Sequence, residues 1–159
     1  MSDDLLSSMI PFFGCIIEQT PEGLRLSGAS RNYMNAVALT AQSFRPPFIL
    51  KTVAKTDSTN VRLYWHLGEI ILNWECSVRQ LRVHYPDTGR QVGVEDQGFI
   101  AANEWHEIVW AVEPNAMRLS VDGQSRFQGE GAFGSIRAPL AIGPCFGSTI
   151  VVRTFAVDH

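Results

Sequence analysis

Between Asn60 and Tyr85 the chain gathers side chains that can grip a polyhydroxylated molecule: Arg62, Tyr64, His66, Asn73, Glu75, Arg82 and His84, with Asn60 and Gln80 beside them. A carboxylate and a carboxamide accept from and donate to neighbouring hydroxyls, arginine donates from a fixed fork, and an aromatic ring covers the C–H face of a pyranose. The spacing puts these groups on common faces. Asn60, Arg62, Tyr64 and His66 alternate with Val61, Leu63, Trp65 and Leu67; Asn73 and Glu75 with Leu72, Trp74 and Cys76; Gln80, Arg82 and His84 with Leu81, Val83 and Tyr85. Period-two alternation predicts three antiparallel strands, apolar towards the core and polar outside. Any half-solvated sheet carries polar residues on its wet face. This face, however, is rich in Arg, His, Tyr and Asn rather than the Lys, Thr and Ser of an ordinary one.

The register follows from the turn. A hairpin over Gly68-Glu69, led by its glycine, would set Leu67 opposite Ile70, Leu63 opposite Trp74 and Trp65 opposite Leu72. On the outer face Arg62 would meet Glu75, and Tyr64 would meet Asn73. In that register Trp74 is core and Glu69 belongs to the turn.

Other chemistries find less support. A retaining glycosidase needs two carboxyls about 5–5.5 Å apart, whereas Glu69 and Glu75 on one extended strand would stand about 20 Å apart. Glu104 and Glu107 fall on opposite faces and Glu95-Asp96 in a loop; a pair from distant strands, such as Glu75 with Glu107, stays open. The sequence has no G-x-S-x-G, no H-E-x-x-H and no P-loop. His66 and His84 lack a third ligand for a metal, and Asp57-Ser58-Thr59-Asn60 reads as a turn before it reads as a calcium loop. No catalytic residue, metal or cofactor is therefore expected.

These residues need strands to hold them, and the rest of the chain supplies the pattern. In Asn103–Gly123 the residues Ile108, Trp110 and Val112, then Met117, Leu119 and Val121, recur at every second position. Pro114-Asn115 makes one reversal, and Asp122-Gly123 predicts a two-residue hairpin turn with positive φ at both corners. Short strand-like runs recur over 12–17, 24–27, 33–40, 48–56, 98–101, 125–128, 139–142 and 149–157. The last is apolar on both faces, with Thr149, Val151, Arg153, Phe155 and Val157 on one side, so it belongs in the middle of a sheet. Many short strands separated by turns predict a sandwich or barrel. A brief helical turn is expected near 2–9 or around 131–135.

At 159 residues the chain is read as one domain over 10–159 behind a frayed 1–9. A net charge of −3 argues against nucleic acid or an anionic membrane as partner. The acidic start Met1-Ser2-Asp3-Asp4 lacks a signal peptide's positive region, which leans towards the cytoplasm, or towards secretion if a leader was trimmed. The three cysteines, an odd number with no C-x-x-C pair, are read as buried thiols.

Two stretches, N-E-W-H-E-I-V-W…M-R-L-S-V-D-G and I-I-L-N-W-E, resemble the concanavalin A-like lectin/glucanase superfamily, which includes galectins and laminin-G-like domains. The first is similar to a hairpin of such domains, and in the second Asn73 resembles a galectin's sugar-binding asparagine. The galectin His-x-Asn-x-Arg strand is replaced by Arg62-x-Tyr64-x-His66, and the W-G-x-E-x-R strand is unmatched. The resemblance implies an all-β, two-sheet antiparallel jelly-roll sandwich whose function is non-catalytic carbohydrate binding. The alternatives are a glycoside hydrolase or lyase of the same fold, and an interaction module that pairs edge strands, for example as a homodimer. An apolar surface at Phe44, Pro46, Pro47 and Phe48 would serve the last of these.

Overall fold

The computed structural model describes residues 3–28 and 36–159. The strands are β1 (Asp3–Asp4), β2 (Ile10–Phe12), β3 (Cys15–Thr20), β4 (Gly23–Gly28), β5 (Val37–Phe44), β6 (Phe48–Thr56), β7 (Val61–Trp65) and β8 (Gly68–Leu72). They continue with β9 (Leu81–His84), β10 (Gln91–Val94), β11 (His106–Val112), β12 (Ala116–Val121), β13 (Gln124–Glu130), β14 (Ala138–Gly143) and β15 (Ile150–Asp158). One sheet runs β13-β12-β11-β6-β15-β4-β3, with β1 paired to the end of β15; the other runs β10-β9-β8-β7-β14-β5-β2. All pairings are antiparallel. This is an all-β, two-sheet jelly-roll sandwich.

The core lies between the sheets. Leu50, Ile108, Trp110, Leu119, Val152 and Phe155 line it from one side, and Leu63, Trp65, Ile70, Leu72, Leu81, Val83 and Leu140 from the other. Burial alternates along most strands, as side chains pointing to opposite sides of a pleat require. The expected turns at Pro114-Asn115 and Asp122-Gly123 are present. The second has φ of 51° and 80° at its two corners, the mirror-image geometry that suits a strand's right-handed twist.

Several expectations are corrected. β15 is central, between β6 and β4, but a bulge between Val152 and Thr154 reverses its phase. Ile150 and Val152 face inward before the bulge and Phe155 and Val157 after it, so no single face runs its length. The predicted 12–17 strand is broken by a turn with positive φ at Phe13 and Gly14. Residues 98–101 form a loop, and the start of the 33–40 run lies outside the described residues. The N-terminus from Asp3 is docked rather than frayed: β1 pairs with β15, the Leu5 amide donates to the Phe155 carbonyl, and a 3-10 turn spans Leu6–Ser8. Residues 131–135 form no helix. Phe44 and Phe48 are buried in the core, so no apolar surface forms there; exposed apolar side chains stand instead at Ile10, Phe12, Phe13 and Ile16, on the edge strands β2 and β3 and the turn between them. Cys15 and Cys145 are buried, but Cys76 is exposed, and no disulfide joins the three. Burial pushes the Cys15 thiol up to about 11. Among the described residues no helix is long and apolar enough to cross a membrane.

Candidate functional site on the seven-stranded sheet

The β7–β8 hairpin turns at His66-Leu67, not at Gly68-Glu69. His66 takes φ of 55°, and Trp65 pairs with Gly68. Gly68 is needed inside the strand: a Cβ there would stand 2.7 Å from the Pro86 ring and 2.9 Å from the Trp65 carbonyl oxygen. Each β7 residue therefore meets a β8 partner four positions earlier than expected, with Arg62 opposite Ile71 and Tyr64 opposite Glu69. Four is even, so every side chain keeps its face. Leu63 opposes Ile70 on the core side.

Across β14, β7, β8, β9 and β10 the outer face consequently forms two rows. One is Ala141, Tyr64, Glu69, His84 and Gln91; the next is Gly143, Arg62, Ile71, Arg82 and Gly93. The middle of these rows is covered: Ala141, Arg62, Glu69 and Ile71 are all buried.

Arg62 organises the face. Its Nε donates to Asn60 Oδ1 at 2.9 Å, Nη1 to Glu69 Oε2 at 3.1 Å and Nη2 to Glu75 Oε2 at 3.1 Å. The side chains of Arg62 and Glu69 are 8% and 10% exposed, and that of Glu75 is 21% exposed. Burial disfavours the guanidinium's charge, but the neighbouring Tyr64, Glu69, Cys145 and Glu75 outweigh it and the charge is retained. Glu69 Oε1 lies 3.6 Å from His84 Nδ1. Burial, with Arg82 and Arg62 nearby, lowers the His84 pKa below its ordinary 6.5 despite the pull of Glu69. Burial, with Glu69 alongside, pushes the Tyr64 phenol far up, so it stays neutral. Its hydroxyl is buried and, although Glu69 adjoins it, makes no hydrogen bond of acceptable geometry among the described residues.

Aromatic rings flank the charges. The Arg82 guanidinium lies 4.7 Å from the Trp74 ring centroid and donates to Gln80 Oε1 and Gln91 Oε1. Trp74 is half-buried rather than core, because β8 ends at Leu72 and the chain turns away at Asn73 with φ of 52°. Phe146, in a loop between β14 and β15 with φ of 51°, is 43% exposed and stands 5.7 Å from the Arg62 guanidinium.

The structure thus brings together Arg62, Tyr64, Glu75, Arg82 and His84, and it does not include His66 and Asn73 in the cluster. His66 sits exposed at the hairpin tip, four residues from Arg62, or ~13 Å along the strand. Asn73 is 2% exposed and faces inward: Nδ2 donates to the Ile100 carbonyl at 2.8 Å, and Oδ1 accepts from the Ile100 amide at 2.8 Å. Arg62 and Glu75 do touch, by side-chain reach rather than by direct pairing. Glu69, placed in the turn by the sequence, is on the strand beside Arg62. The sequence reading missed Glu69 and Phe146; the C-F-G-S turn beside Gly147 is a signal for Phe146 only once β14 is known to end next to Arg62. Among the described residues no group of three His, Cys, Asp or Glu side chains is placed to hold a metal. Asp57 caps a turn, accepting from the Thr149 amide and Ser58 hydroxyl.

No protein-family model matches the sequence, and no curated protein matches it. Solved structures do. The carbohydrate-binding module CBM66 from Bacillus subtilis superposes with a TM-score of 0.72 at 9% identity, over 96% of this chain and 96% of that one. A protein of unknown function with a galectin-like fold, also from Bacillus subtilis, gives 0.78 at 10% identity over 99% and 94%. The Bacillus licheniformis β-glucanase gives 0.74 at 14% identity over 100% and 97%. At these identities the likeness is one of fold: this chain has the concanavalin A-like jelly-roll fold.

Proposed function

We propose that the chain is a non-catalytic carbohydrate-binding domain whose sugar lies on the outer face of the seven-stranded sheet. Glu75, His84 and Arg82 bind hydroxyls, and Trp74 and Phe146 flank the sugar ring, while Tyr64, its hydroxyl buried, packs beneath them. Arg62 and Glu69 hold this set in place. His66, expected among the ligands, is too far away to share the same ring.

The observation that carries the reading is the ion cluster itself. Taking a guanidinium and carboxylates out of water costs several kcal/mol per ion, and apolar residues of similar volume would stabilise the sheet as well or better. A cluster of this kind is understandable where its polar edge meets a ligand and must be pre-positioned for it. The likeness to a carbohydrate-binding module and to a galectin-like fold supports the reading, as does the mixture of carboxylate, guanidinium, imidazole and aromatic rings.

A hydrolase reading gains from the convergence of Glu69 and Glu75 on one arginine. Glycosidase chemistry needs one carboxyl to donate a proton and another to attack or to activate water. Here both carboxyl groups are instead engaged by Arg62. A glycan array with the purified chain, run alongside a reducing-sugar release assay, tests both. Expected are binding without release, and loss of that binding in Glu75→Gln while the circular dichroism spectrum shows the fold retained. Sugar release by the wild type, or full binding by Glu75→Gln, rejects the assignment.

A further inference from the structure

A second concavity lies away from the Arg62 cluster. It is a groove of about 620 Å³ lined by Val78, Arg79, Asp96, Phe99, Gln124 and Arg126, between the segment after β8, the loop after β10 and the start of β13. One wall, residues 97–101, has no regular secondary structure, yet every carbonyl in it has a donor. Arg126 Nη1 donates to the Gln97 carbonyl at 2.7 Å and the Phe99 carbonyl at 3.0 Å. The Asn73 amide donates to Gly98 and its side chain to Ile100, and His106 Nε2 lies 2.8 Å from the Ala101 carbonyl oxygen. The Gly98 amide donates in turn to Arg79. A loop pinned at five successive residues holds its shape before any ligand arrives. It nevertheless presents the Phe99 side chain to solvent, 53% exposed, over the groove. Burying that ring in the core would stabilise the fold; a rigid loop that keeps it out offers a flat apolar platform.

The charges around the platform are uneven. The Arg79 Nε pairs with Asp96 Oδ1 at 2.9 Å across the rim. Arg126 uses Nη1 for the loop, leaving Nη2 and Nε without a hydrogen-bond partner among the described residues. The Asp122 carboxylate, which acts on Arg126 electrostatically, accepts from the Glu107 amide and lies 2.8 Å from His106 Nδ1. One guanidinium edge is thus left to meet an anion, beside an aromatic face and the Gln124 amide.

We infer that this groove is a second binding site, for a pyranose that carries a carboxylate: the sugar ring stacks on Phe99, and its carboxylate takes the unused edge of Arg126 and the Nη groups of Arg79. The inference goes beyond the sheet-face reading and does not need it, because the two sites share no side chain.

The test is isothermal titration of the full chain, with amide chemical-shift mapping, against tetragalacturonate, an oligomannuronate and a hyaluronan tetrasaccharide, and against neutral cellotetraose, benzoate and a glutamate hexapeptide as controls. At least one uronate is expected to bind and to shift the amides of 96–100 and 124–126. Phe99→Ala and Arg79→Gln are both exposed changes and should each weaken that binding about tenfold. Glu75→Gln should leave it unchanged, which separates this site from the sheet face. The inference is overturned if none of the uronates binds, if both groove variants bind like the wild type, if Glu75→Gln abolishes the binding, or if benzoate or the peptide binds as tightly as the uronate.

Discussion

Asn73 commits its whole side-chain amide to the segment that follows β10, bonding both backbone groups of Ile100. It also stands at φ of 52°, which asparagine tolerates better than alanine. Asn73→Ala would leave a buried N–H and C=O unpartnered, so we expect a loss of about 2–4 kcal/mol in urea unfolding; an unchanged unfolding curve would show that the amide holds nothing. His84 carries a pH signature. Burial lowers its pKa in the folded state, so the unfolded chain binds the proton more readily. Its contribution to stability is complete above about 6.5, the ordinary value, and is lost as pH falls from there through the folded-state pKa. Melting temperatures followed from about pH 7.5 to about pH 5.5 should therefore fall more steeply for the wild type than for His84→Gln; parallel lines would remove the argument. At this scale the sequence was legible where chemistry and face coincide: Arg62, Glu75, Arg82 and His84 stand on the expected outer face. Asn73 has the right parity but lies past the end of β8, where a positive φ turns it inward, and alternation alone cannot foresee that.

At the scale of elements, glycine was read as punctuation where it serves close approach. Gly68 suggested a turn, but it lies within β8 because the Pro86 ring crowds it, and the turn falls two residues earlier. Asp122-Gly123 was read correctly because its signal is local, with both corners demanding positive φ. Gly98 is another case of close approach. A Cβ there would stand 2.4 Å from the carbonyl carbon and oxygen of Gln80 and 2.6 Å from the Leu81 nitrogen, all backbone atoms that cannot rotate aside. Gly98→Ala is expected to cost about 2 kcal/mol or more in stability, as overpacking does, and to move the Phe99 loop. Hydrogen exchange of the Gly98 and Ile100 amides measures it: protection like that of the wild type would mean the loop does not rest on β9. The bulge at Arg153 is likewise invisible in the sequence, since T-I-V-V-R-T-F-A-V is apolar in either phase and only pairing with β6 and β4 selects where it breaks.

For the whole molecule, stability rests on the layer of side chains between two sheets, with no covalent cross-link between the cysteines. The melting temperature should be the same with and without dithiothreitol; a drop on reduction would mean that a disulfide forms in solution. The two candidate sites lie on different parts of this frame, one on a sheet face and the other among loops, so changes at Glu75 and Phe99 should be independent in stability and in binding.

What the sequence determined by itself was the class of fold and the inside and outside of most strands, because period-two alternation and turn residues are local and each is decided within a few positions. The tertiary structure decided the register and most of the meetings between polar groups. Arg62 reaches Glu69 and Glu75 because one strand passes beside another in a register chosen by packing around Gly68, and the 97–101 loop is held by Asn73 and Arg126 from distant parts of the chain. The sequence did set Arg62 against Glu75, but through the wrong register; contacts such as Asn73 with Ile100 and Arg126 with Phe99 join segments that no short window of sequence contains.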